Sequence, residues 1–81
     1  MVQVLSKSKY VYWELNDGIS AKFWAASIIK SGNKYTLTRR WGKIGTVGQQ
    51  MEQVLNDPYL ASVALLKLIR SKEREGYKPI F

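Results

Sequence analysis

Cysteine and histidine are both missing from this 81-residue chain. Their absence removes disulfide frameworks, thiolate nucleophiles, imidazole bases and the common zinc-ligand sets together. Acidic residues are scarce, six Asp and Glu against thirteen Lys and Arg, and no two carboxylates have a spacing suited to acid and base work. The sequence thus predicts a non-enzymatic protein with no cofactor, no metal and no small-molecule substrate. No window approaches the roughly 20 apolar residues of a membrane span, and the N-terminal stretch lacks an apolar run of signal-sequence length. We therefore expect no membrane partner and read a soluble, cytoplasmic protein.

What is present is positive charge and aromatic bulk. A formal charge of +7 and a pI near 9.9 attract acidic surfaces, nucleic acid first among them. Solubility alone is the plainer use of such charge. A chain this short buries only about 60 to 65% of its unfolded surface. Three Trp, five Tyr and two Phe must therefore carry much of the packing. One domain over residues 1–81 is the economical division, since no repeat, linker or low-complexity tract interrupts it.

Periodicity places the elements. Tyr10 to Leu15 reads as a strand, followed by the turn signal Asn16-Asp17-Gly18. Ser20 to Lys30 continues as a second strand whose two alternating sets both contain bulky residues, Phe23 on one and Trp24 with Ile28 on the other, so its solvent face stays open. Ser31-Gly32-Asn33 turns into a third strand, Lys34 to Trp41, with Tyr35, Leu37, Arg39 and Trp41 on one side and Lys34, Thr36, Thr38 and Arg40 on the other. Gln49 to Leu55 is a weaker fourth strand, suited to an edge. Asp57-Pro58 announces a helix running to about Glu75, because Asp caps free N–H groups and Pro fits the first helical position. Ala61, Leu65, Leu68 and Ile69 share its packing stripe, while Lys67, Arg70 and Arg74 lie opposite. Gly76 suits its end, and the tail Tyr77 to Phe81 is expected to fold back on the sheet. The fold class is α+β: an antiparallel sheet of about four strands with one C-terminal helix packed on one face.

The run Arg39-Arg40-Trp41-Gly42-Lys43-Ile44-Gly45-Thr46-Val47-Gly48-Gln49 carries the chemistry. It joins cations and an indole to backbone that a partner can approach closely, the parts needed for phosphates and an unpaired base. Its Gly-x-x-Gly-x-x-Gly spacing is not a nucleotide-binding fingerprint, because the Lys-[Ser/Thr] end and a following helix are both missing.

This run resembles the signature of the WGR domain, a small module of DNA-dependent poly(ADP-ribose) polymerases and many bacterial proteins. Here the Trp-Gly-Arg triplet reads Trp41-Gly42-Lys43. The resemblance covers nearly the whole chain, through Lys34-Tyr35-Thr36-Leu37, the Gly48-Gln49 exit and the late Gly76-Tyr77. It implies a mixed sheet with one helix, and binding at DNA ends or nicks. It further implies that Trp41 packs on a terminal nucleotide and that Lys43 reaches phosphate. Lysine keeps the charge but lacks the planar fork that grips phosphate bidentately. The polymerases' catalytic region has no counterpart here, so no ADP-ribosylation is implied.

Candidate nucleic-acid-binding residues are therefore Trp41, Gly42, Lys43, Arg39, Arg40, Gly45, Lys67 and Arg70. Each has a plainer reading. Trp41 is a stacking platform or a strand-end core aromatic, and the glycines supply turn conformations. Arg39 and Arg40 alternate, and periodicity favours Arg39 as the neighbour of Trp41. Lys67 and Arg70 also fit a simply solvated helix face. The expected partner is DNA; the alternative is a module that docks an acidic partner protein.

Overall fold

The computed structural model describes residues 9–80; residues 1–8 and Phe81, the last residue of the expected tail, lie outside the described residues. Five strands form one antiparallel sheet in the order β4-β3-β2-β1-β5: β1 Lys9–Asn16, β2 Ala21–Ser31, β3 Lys34–Lys43, β4 Gln49–Leu55 and β5 Lys78–Pro79. One helix, α1, spans Pro58–Glu75 between β4 and β5. The α+β class stands, with five strands in place of about four. The extra strand is the returning tail, which pairs with Trp13 and Glu14 of β1. Every pairing is antiparallel, so the mixed sheet implied by the resemblance is not what forms.

The turns follow from local chemistry. Between β1 and β2 the Asp17 carboxylate accepts the backbone N–H groups of Ile19 and Ser20 at 2.9 and 2.7 Å. Those bonds stabilise the ionised form and hold its pKa below the usual carboxylate value, the Ser20 N–H being the larger cause. Ser31 and Lys34 face each other across the tight Gly32-Asn33 turn.

Register then builds the core. Trp13, Trp24 and Trp41 stand side by side across β1, β2 and β3, with Gln49 of β4 next in the row. Directly opposed residues of antiparallel strands share a face, so this row, and the rows of Val11-Ala26-Arg39 and Ile28-Leu37, lie on the side that α1 covers. Ala61 and Leu65 enter this core fully, and Leu68 and Ile69 pack at its margin. The predicted helical stripe is the packing stripe.

Asp57 caps α1 through its side chain, which accepts from the Tyr59 N–H at 2.7 Å and the Leu60 N–H at 3.4 Å. Asp57→Ala should therefore cost about 1 kcal/mol, a fall of roughly 4 to 8 °C in melting temperature for a domain of this size, measured by circular dichroism. At the other end Gly76 adopts the left-handed conformation, φ 102°, and its N–H and that of Tyr77 bond back to the Glu73 and Lys72 carbonyls at 3.0 Å. This reversal returns the chain to β1 and buries the Tyr77 ring, and loss of water around it raises the phenol's pKa.

Candidate nucleic-acid interface

β3 sets the site because its alternation continues to its last residue. Arg39, Trp41 and Lys43 lie on the helix side, and Arg40 and Gly42 on the opposite, open side. Trp41 is the outer member of the indole row. It packs against the core yet remains half-buried, since its neighbour on β4 is exposed Gln49 rather than another bulky ring. It thus closes one end of the core and keeps an accessible edge.

Arg39 is half-buried beside it, donating from Nη2 to the Met51 sulfur at 3.0 Å. Its Nε is buried without a hydrogen-bond partner. A thioether is a weak acceptor, so the Nη2 donor of this guanidinium is only weakly engaged. Lys43 is exposed at the strand's end.

Register adds a cation that periodicity did not single out. Lys22 of β2 sits directly opposite Lys43, on the same face, where like charges repel. By register no carboxylate is paired with Lys22, whose ammonium group interacts instead with the Asp17 carboxylate of the preceding turn. Among the described residues the helix side also carries Lys30 on β2, and α1 adds exposed Lys67, Arg70 and Arg74. The open side is nearly balanced, with Lys34, Arg40 and Lys78 against Glu14 and Glu52.

The loop after Lys43 is held from the open side. The Lys43 carbonyl accepts the Thr46 N–H at 3.1 Å and its hydroxyl at 2.7 Å, and the Ile44 N–H bonds to the Ala21 carbonyl at 3.0 Å. Gly42 and Gly48 then cross so closely that a Cβ at Gly42 would meet the Gly48 Cα at 2.9 Å. Phe23 lies beneath this crossing and is 2% exposed although α1 is on the other side. Tyr12 stacks on it with centroids 5.9 Å apart and ring planes 11° from parallel. The Tyr12 hydroxyl donates to Glu14 at 2.8 Å, and that bond is the main cause of its raised pKa.

Arg40, a candidate for phosphate contact, sits in this assembly. Its guanidinium lies 4.8 Å above the Phe23 centroid and donates to the Val47 carbonyl at 3.0 Å. It braces the loop from the face opposite Trp41. The structure thus gathers Arg39, Trp41 and Lys43 at one corner, with Gly42 and Gly45 in the backbone that frames it. Arg40 stands behind that corner, and Lys67 and Arg70 project from the outer surface of α1. Sequence reasoning missed Lys22, Phe23, Thr46 and Met51. Of these, Thr46 alone has a local signal, a hydroxyl three residues after Lys43 across a glycine turn.

The WGR domain family model matches residues 9–80. The chain belongs to the WGR domain family. A Bacteroides fragilis protein solved as a structural-genomics target is similar at 30% identity and a TM-score of 0.72, over 90% of this chain and 20% of that one. This chain spans one fifth of the length of that relative. No curated protein is similar enough to match. The WGR domain is a nucleic-acid-binding module rather than a catalytic domain. No helix of the described residues is long and apolar enough to cross a membrane.

Proposed function

We propose that this WGR domain binds DNA in preference to RNA and engages open ends or nicks at the β3 corner. Lys43, Lys22 and Arg39 hold phosphate, and Trp41 receives a terminal or frayed base. The observation that carries this reading is that a half-buried indole and these three cations share one face at one end of β3. An indole there offers a stacking surface that accepts any base, and cations beside it draw in the backbone. Gly42 and Gly45 let the chain turn closely enough to present Lys43, Lys67 and Arg70 extend the positive field along α1, and Arg40 fixes the loop.

Fluorescence anisotropy titrations with 5'-phosphorylated, unphosphorylated and hairpin-capped duplexes test the end preference. Open duplexes should bind more tightly than capped ones, and equal affinities would remove the end-binding part of the proposal. Affinity should fall steeply with salt.

Lys22→Ala separates binding from folding. Removing one of two opposed ammonium groups should leave the melting temperature unchanged or slightly raised. The same change should weaken DNA binding and reduce the slope of log K against log salt by about 0.9, one phosphate contact. Lys34→Ala, on the open side, should alter affinity less than either Lys22→Ala or Lys43→Ala.

A further inference from the structure

The two edges of this sheet are built differently. The outermost strand at one edge is β5, two residues reading Lys78–Pro79. A very short strand with lysine and proline is how folded chains stop further strands from adding. At the other edge β4 runs for seven residues, Gln49–Leu55, with neither lysine nor proline. In a chain holding thirteen Lys and Arg, its sole charge is Glu52. Met51 and Val54 are 50% and 59% exposed. Among the described residues, its backbone pairs with β3 alone, leaving the outward N–H and C=O groups without a strand. A long, almost uncharged edge is a template for another strand.

We propose that β4 pairs antiparallel with β4 of a second copy, joining the two sheets about a two-fold axis centred on Met51. The sequence of β4 selects that register. Opposed residues share a face, so the axis must pass through a residue. An axis at Glu52 would set two carboxylates against each other, and one at Gln53 would set Glu52 against apolar Val54. An axis at Met51 sets Gln50 against Glu52 of the second copy, Gln49 against Gln53, and Met51 against itself. Every polar side chain of the strand then meets a polar one, and the exposed methionine is covered.

The interface carries its own electrostatic mark. Each copy bears +7, so association is opposed at low ionic strength and strengthened as salt screens the repulsion. DNA binding changes in the reverse direction, so failure of either proposal is recognisable without the other.

Sedimentation velocity on the full chain, over a range of concentrations at low and high salt, tests the pairing. We expect a reversible dimer that tightens with salt. Gln50→Glu, which opposes two carboxylates twice across the axis, should weaken it about tenfold, and Gln50→Lys should tighten it by a similar factor. Circular dichroism checks that both variants, altered at an exposed position, keep the fold. A chain that stays monomeric at high salt and high concentration would overturn the proposal. So would a dimer whose affinity ignores both substitutions.

Discussion

Gly48→Ala is expected to destabilise the domain by about 3 kcal/mol, combining left-handed backbone strain with overpacking, and to abolish DNA binding at the β3 corner. Gly48 has φ 77°, and a Cβ there would lie 2.2 Å from the Trp41 carbonyl oxygen and 2.9 Å from Phe23 Cζ. Neither neighbour can retreat. The carbonyl belongs to a strand paired on both sides, and the ring is wedged beneath Tyr12 and Arg40. The loop must lift instead, which removes the turn that presents Lys43. Gly45→Ala is the control, because nothing lies within 4 Å of its added carbon, and about 1 kcal/mol of backbone strain should be its whole cost. Urea denaturation of both variants measures the difference. Equal losses would mean that close packing of the loop on Trp41 and Phe23 does not matter.

The second large effect concerns Trp41. Trp41→Ala should lower DNA affinity between about fivefold and 150-fold, the range that loss of one stacked base corresponds to. Stability should fall by roughly 2 kcal/mol, less than for a fully sealed indole, because the ring is half-buried. Trp41→Phe should restore most of the affinity, since a flat face suffices for stacking. Anisotropy titration and thermal melting on the same samples keep the two consequences apart. A Trp41→Ala protein that melts lower but binds DNA as tightly as the parent would reduce this indole to a piece of the core.

Elements whose ends are set by local chemistry were legible in the sequence. Asp57-Pro58 and Gly76 bounded α1 because a cap and a left-handed stop act within a few residues. The alternation of β3 placed Arg39 with Trp41 and Arg40 against it, since side-chain direction follows from backbone pleat alone. What was not legible depends on register or on distant chain. Phe23 left its strand's solvent face undecided because its cover comes from Gly42 and Gly48, far along the sequence. Lys22 became part of the corner once β2 and β3 were aligned to bring it opposite Lys43. β5 has no propensity signal in two residues and exists through its pairing with Trp13 and Glu14. The tie of Arg40 to the Val47 carbonyl and the Phe23 ring was not legible either, because it is tertiary.

The end preference and the role of Trp41 both require that nucleic acid land on the helix-side corner. Backbone and side-chain NMR shifts followed during titration with a short open-ended duplex address this directly. We predict that the largest changes fall on Lys22, Arg39, Trp41 and Lys43, including the Trp41 indole N–H, with little movement at Tyr10, Ser27 and Thr38. Shifts concentrated on those open-face residues, with the Trp41 and Lys43 signals unmoved at saturation, would contradict it.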